Sequence, residues 1–294
     1  MNFDHAQLQA LAAILRCGSF EAAAGELGVT QSAVSQRLKA LEDRVGTRLV
    51  HRGQPCTGTD AGRRIAAHAA HVGLLEQSLA RDLGASVSGR GSTVRIAVNA
   101  DSLATWFLPA LAGVPELLFD LVVDDQEYSA DWLRRGEVAA AVTSHDRPVS
   151  GCDCIALGAL RYVATASPAY MKRHFPDGVS PEAVARAPML RFDPKDYLQS
   201  RWMQKHLGCK LSPPSHRLPS SQGFVEACLL GLGWGMNPEI LARPHIEAGR
   251  LVTLLEGAGY ETPLYWQHSR LLGDALAPLT RAVRRQARSD LPGN

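Results

Sequence analysis

Between Thr30 and Lys39 the chain reads Thr-Gln-Ser-Ala-Val-Ser-Gln-Arg-Leu-Lys. Thr30, Ser32 and Ser35 bring hydroxyls, Gln31 and Gln36 amides, and Arg37 and Lys39 cations. Such side chains reach phosphate oxygens and base edges in a DNA major groove. Val34, Leu38 and Leu41 fall four and three apart, the spacing of a buried helical seam. The polar side chains lie off that seam, with Arg37 at its edge. An ordinary amphipathic surface helix has the same polar outer face, so this stretch alone leaves both readings open. Charge adds a second signal. The whole chain carries only +2. Residues 29–64, however, hold Arg37, Lys39, Arg44, Arg48, Arg52, Arg63 and Arg64 against Glu42, Asp43 and Asp60, a local excess of four. Such an excess suits phosphate contact, which supplies most sequence-independent affinity for DNA.

Other chemistries find little footing. The cysteines stand at 17, 56, 152, 154, 209 and 228, without histidines at zinc-finger spacing, and read as free thiols rather than metal ligands. His68 and His71 are three apart and could share a metal, but a solvated helix face explains them more simply. Gly231-Leu-Gly-Trp-Gly235 follows an apolar helix instead of a strand, so it reads as a tight helix-to-strand turn and not a nucleotide loop. There is no Walker loop, Gly-x-Ser-x-Gly elbow or histidine–acid pair at catalytic spacing. The expectation is no enzyme, no cofactor and no metal.

The elements that must hold the polar residues are legible. Leu8, Leu11, Ala12 and Leu15 mark a helix over 5–16 that Gly18 ends. Ser19 can cap a second helix, Phe20 to Leu27, and Gly28 can leave it in the left-handed conformation. Thr30 can cap a third, Gln31 to Val45, closed by Gly46. This is the helix-turn-helix pattern. A short strand at Leu49-Val50, a turn at Gly53 to Pro55 and a return strand at Cys56-Thr57 make a wing, with Arg52 at its tip. Thr59 to Leu83 contains no proline, and Ile65, Val72 and Leu79 recur every seven residues with Leu75 between the last two. A helix with so narrow an apolar stripe wants a partner, although it could also lie on its own C-terminal domain. Residues 84–92 read as a glycine/serine hinge.

From Thr93 strands alternate with helices. Val94 to Val98 is a strand, Ser102 to Leu111 a helix, Leu117 to Val123 a strand, Ala130 to Arg135 a helix and Val138 to Thr143 a strand. A second block runs from about Tyr162 to Tyr265, and the helix Pro278 to Arg288 returns to the first. This rhythm predicts an α/β fold with a mostly parallel sheet and two lobes around a cleft. The expected division is 1–58, 59–91 and 92–294, the last split into lobe I (92–161 plus 266–294) and lobe II (162–265). No run of apolar residues is long enough to span a membrane and the N-terminus lacks a secretory pattern, so a cytoplasmic protein without a membrane partner is expected.

Phe20 with its alanines, Leu27, Thr30-Gln31, Ala33-Val34-Ser35, Leu41-Glu42, Gly46, Leu49, Arg52, Thr59 and Gly62 follow an order that resembles the LysR-type transcriptional regulators. The resemblance implies Gln31, Ser32, Ser35, Gln36 and Arg37 as the DNA-reading set, with Arg52 on the backbone. It also implies dimerisation through the long helix, a homodimer or homotetramer, RNA polymerase as a partner, and an effector domain similar to periplasmic solute-binding proteins. Val98 to Trp106, Arg135-Gly136-Glu137-Val138, Leu157-Gly158, Phe224 and Pro263 to Trp266 look like the ArgP/LysG branch. That branch responds to lysine or arginine, controls basic amino-acid exporters and has also carried the name chromosome initiation inhibitor. A replication-inhibiting or architectural DNA binder is therefore the alternative expectation.

An amino-acid effector needs donors for its carboxylate and acceptors for its cations. Ser102 falls where strand passes into helix, so its hydroxyl and the free helix N–H groups could hold a carboxylate. Thr143 and Ser144 could add hydroxyls after a strand, and Ser221 another beside a helix start in the second lobe. Asp101, Asp124, Asp125 and Asp193 fall at expected strand ends or turns and are candidates for a basic side chain. The expected set is Asp101, Ser102, Asp124, Thr143, Ser144, Asp193 and Ser221, with a helix cap or loop charge as the plain alternative for each acid.

Overall fold

A computed structural model describes residues 3–84, 92–291 and 293. Helix α1 (His5–Cys17) starts on Asp4, whose carboxylate accepts from the Gln7 N–H, and stops at Gly18 with φ +73°. Ser19 and Thr30 cap α2 (Phe20–Leu27) and α3 (Gln31–Val45) through their hydroxyl oxygens. The capping residue takes up one of the N–H groups that the first turn cannot bond internally. Leu11, Ile14, Ala23, Val34, Leu38 and Leu41 form the shared core. Strands β1 (Val50–His51) and β2 (Thr57–Gly58) pair antiparallel, Val50 with Gly58. The wing strands begin one residue later than expected, because Leu49 and Cys56 are buried in the helical core.

Helix α4 (Asp60–Asp82) is capped by Thr59. Ile65 packs on the N-terminal core, while Leu74 is buried in the C-terminal one. Leu75, Leu79 and Leu83 stay exposed. The contact with the C-terminal domain thus comes from Leu74, outside the heptad stripe, while Leu75 and Leu79 of the stripe face outward. Apart from its two ends, the hinge expected at 84–92 lies outside the described residues.

Strand β3 (Thr93–Val98) is followed by a helical segment made of α5 (Ala100–Ser102), a π turn (Leu103–Phe107) and α6 (Leu108–Ala112). Next come β4 (Leu118–Val123), α7 (Ser129–Arg134), β5 (Ala140–Thr143) and the long β6 (Cys152–Ala166). Then α8 (Pro168–His174), α9 (Pro181–Arg186), β7 (Met189–Arg191), α10 (Leu198–Leu207), β8 (Ser215–Arg217) and α11 (Ser221–Leu229) follow. The chain continues through β9 (Gly235–Pro238), α12 (Glu239–Glu247), β10 (Val252–Thr253), β11 (Gly259–Ser269) and α13 (Gly273–Asp290).

The main sheet runs β10-β6-β11-β5-β3-β4, with β9 also on β6. Only β4, β3 and β5 are mutually parallel in it, and the other pairs are antiparallel. A mostly parallel sheet was expected. The difference comes from β11, which returns antiparallel between β5 and β6 and ties the two halves together. A bulge between Leu264 and Tyr265, opposite Gly158 (φ +103°), lets both long strands bend. Trp106, Trp202, Trp234 and Trp266 are fully buried, one set of large side chains filling both halves.

Candidate DNA-reading face and effector cleft

Helix α3 buries Val34, Leu38 and Leu41, which turns the polar residues of the first sequence argument outward. Gln31, Ser32, Gln36 and Lys39 are exposed, and Ser35 and Arg37 half-buried. Thr30 has a fixed local role, since its hydroxyl oxygen accepts from the Ala33 N–H at 3.2 Å, but its own proton remains to donate. Glu42 holds the wing to this helix by accepting the Leu49 N–H at 2.7 Å. Arg52, exposed just after β1, places its guanidinium carbon 5.4 Å from the Phe20 ring centroid. Hydroxyls, amides and cations thus share one surface with an arginine of the wing, a geometry able to contact phosphates and base edges together.

A cleft lies where the ends of β3 and β4 face the loop after β7 and the start of α11. It offers about 150 Å³, room for about five waters or a small ligand. Its lining is strongly acidic: Asp101, Asp124, Asp125, Glu127, Asp193 and Asp196 stand against Lys195 and Arg201 alone. Asp101 sits deepest in the network. It accepts the Tyr162 hydroxyl at 2.8 Å and the Ser221 hydroxyl at 2.6 Å. Burial pushes its pKa above the usual carboxylate range, against the opposing pull of those two donors. Burial likewise raises Asp125 to about 6, reinforced by the charges of Glu127, Asp193 and Asp124.

Asp124 accepts the Trp132 indole N–H at 2.9 Å, and its other oxygen lies 3.8 Å from the Lys195 ammonium. That ammonium also rests 4.1 Å from the Tyr128 ring centroid. Arg201 pairs with Glu127 across the cleft. Asp193 accepts the Lys195 N–H, and Asp196 accepts those of Phe192 and Leu198, so both shape the loop as well as charging it. Asn99 is 3% exposed and lines the cleft, yet neither of its amide atoms has a partner among the described residues. A buried amide left so is costly unless something enters to bond it.

Of the expected residues, Asp101, Asp124, Asp193 and Ser221 meet in this cleft, whereas Ser102, Thr143 and Ser144 do not line it. The helical segment begins at Ala100 after Asn99, so Ser102 is no longer at its start and turns into the core, fully buried. Thr143 is locked inside the sheet, accepting from the Gln267 amide and donating to the His145 carbonyl. Ser144 has its N–H tied to the Gln126 carbonyl and its hydroxyl oxygen buried. Sequence reasoning missed Asn99, Glu127, Tyr162, Lys195, Asp196 and Arg201. Asn99 carried a signal, an extended residue directly before a helix; the others join the cleft only through tertiary closure.

The chain matches the model of the bacterial regulatory helix-turn-helix proteins of the lysR family over residues 5–63, and that of the LysR substrate binding domain over residues 88–288. It is 44% identical over 289 residues to the HTH-type transcriptional regulator ArgP of Pseudomonas fluorescens, covering 97% of each chain. The crystal structure of ArgP from Mycobacterium tuberculosis superimposes with a TM-score of 0.81 at 41% identity, covering 100% of both chains. Full-length LysG of Corynebacterium glutamicum with bound effector arginine gives a TM-score of 0.67 at 39% identity, covering 99% of this chain and 100% of that one. With a helix-turn-helix at one end and a ligand-sized cleft in the domain that follows, the chain belongs to the LysR family of bacterial transcriptional regulators.

Proposed function

We propose that the chain is a cytoplasmic regulator that senses lysine or arginine and controls genes such as a basic amino-acid exporter. The observation that carries this reading is the excess of carboxylates over cations in a cleft of small-ligand size. A basic amino acid brings two positive groups and one carboxylate, which Lys195 or Arg201 can receive while Asp101, Asp124, Asp125 and Asp193 take the cations. Ser221 and the unpartnered Asn99 amide complete the proposed contact set, and Ser102, Thr143 and Ser144 are left out of it. The bound arginine of the Corynebacterium LysG structure supports the same chemistry. The protein acts by binding and not by catalysis.

Titrating the full chain with lysine and arginine in a calorimeter tests the reading. Binding is expected for at least one of them and not for glutamate; no heat from either at millimolar ligand overturns it. The titration carries its own pH signature. Asp125, whose pKa burial raises to about 6, must be ionised to hold a bound cation, so affinity rises as pH climbs through about 6. Protons are released on binding, and the heat then varies with the buffer.

On the output side we assign residues 1–58 to DNA binding, 59–91 to the linker and 92–294 to effector binding. Thr30, Gln31, Ser32, Ser35, Gln36, Arg37, Lys39 and Arg52 form the contact set, and the exposed Leu75, Leu79 and Leu83 suit pairing in a homodimer or a dimer of dimers that presents promoter-bound RNA polymerase with a bent site. Arg37→Ala should weaken the preference for promoter over random DNA by about 1–3 kcal/mol. Anisotropy titrations on both duplexes measure it, and equal affinities for wild type and variant would refute the role.

A further inference from the structure

Glu137 is 5% exposed, and a carboxylate so buried must be paired to stay charged. Its two oxygens are held by guanidiniums from two separate parts of the chain. Arg135 donates to one at 2.8 Å, and Arg63, in the first turn of α4, approaches the other at 3.5 Å. Arg63 is committed on its remaining sides: it donates to the Gly58 carbonyl of the wing at 2.8 Å and pairs with Asp60. One planar guanidinium therefore fixes the wing relative to a buried acid of the other domain, a task that its fork of donors permits and a lysine's point charge does not.

The other guanidinium leads back to the cleft. Arg135 lies 4.6 Å from the Trp132 ring centroid, a cation–π distance. The indole N–H of that same Trp132 is the donor to Asp124 in the cleft wall. Asp124 must reorganise when a ligand cation competes with the Lys195 ammonium 3.8 Å away. Contact is unbroken from the cleft to the wing, within one subunit and without passing through the hinge.

We infer that Trp132, Arg135, Glu137 and Arg63 form a positioning relay through which the occupancy of the cleft sets the placement of the wing in the same chain. For its ligand arm this rests on the cleft being the effector site; its other arm does not.

The ligand-free arm follows hydrogen exchange over residues 50–63 of the full chain. Glu137→Gln and Asp124→Asn should each speed exchange there, and Asp124→Asn should add nothing in the Glu137→Gln background, as expected for two links of one series. Arg63→Lys, which keeps a charge beside Glu137 but not the second arm to Gly58, guards against simple misfolding and should behave like Glu137→Gln. Additive effects, or exchange at 50–63 unchanged in all variants, overturn the relay. The ligand arm compares promoter affinity with and without saturating arginine. An effector response commonly spans about 5–150-fold; in Glu137→Gln and Trp132→Phe it should fall below about twofold, while calorimetry still shows arginine bound. A full response in Glu137→Gln also overturns the relay. Failure of wild type to bind lysine or arginine would instead sink the reading of the cleft, and the exchange arm would still decide the relay.

Discussion

Gly62→Ala is expected to displace the linker helix and abolish DNA binding, although alanine is the better helix former. A β-carbon at this position would lie 1.9 Å from the Leu49 carbonyl oxygen and 2.9 Å from its carbon. Leu49 cannot give way. Its side chain is fully buried, its N–H donates to Glu42 and its carbonyl accepts from Thr59. The helix must move instead, and with it the Thr59 cap, the Arg63 contact to the wing and the packing of α1 on α4. Overpacking a tight site costs about 1–3 kcal/mol and at times more, and a clash with pinned backbone belongs at the upper end. The propensity gain of about 1 kcal/mol for alanine over glycine does not offset it. Gly73→Ala is the control within the same helix. There the nearest atom is the Ser92 hydroxyl oxygen at 4.0 Å, so the propensity term acts alone and the change should be neutral or stabilising. The melt of Gly62→Ala should therefore fall while that of Gly73→Ala holds or rises; similar melts would show that the close approach to Leu49 is not what requires a glycine at 62.

The contrast between these glycines shows what the sequence can and cannot carry. Caps and stops are local, so Ser19, Thr30, Gly18, Gly28 and Gly46 mark the helices of the DNA-binding domain without any tertiary knowledge. Two-residue strands have no period to read, so the pattern places the wing strands one residue early, over the core residues Leu49 and Cys56. The long β6 was legible only from Tyr162 onward, because Gly158 and the bulge opposite it break the alternation of a single strand. The antiparallel return of β11 is a pairing between distant segments, and local pattern says nothing about it. The cleft divides in the same way. Acids at strand ends such as Asp101 and Asp124 were visible, since the end of a strand in an α/β sheet faces the crevice. Lys195, Arg201 and Tyr162 were not, because their approach depends on how the second half folds over the first. The expectation for Ser102 fails because the helical segment starts two residues earlier, so Asn99, and not Ser102, borders the cleft.

Asp101→Asn should lower affinity for lysine or arginine by about 2–5 kcal/mol, on the order of 100-fold, the usual cost of removing one partner from a buried charge pair. The substitution is nearly isosteric and the surrounding network can adapt. Tyr162 and Ser221 both donate to the carboxylate now, and a hydroxyl facing the new amide nitrogen can rotate to accept. The empty protein should not be weakened. The pKa of Asp101 is raised by burial, so over the range between its unfolded and folded values the folded chain holds a proton that the unfolded chain has lost. Wild-type stability therefore falls with rising pH through that range, and Asp101→Asn removes the loss. Melting unchanged or raised at neutral pH together with a collapsed ligand affinity is the expected pair of results. Wild-type affinity in the variant would exclude Asp101 from the contact set, while joint loss of melting and binding would make it structural. The pH dependence left over in the variant would then include that of Asp125, whose pKa is raised to about 6 by burial.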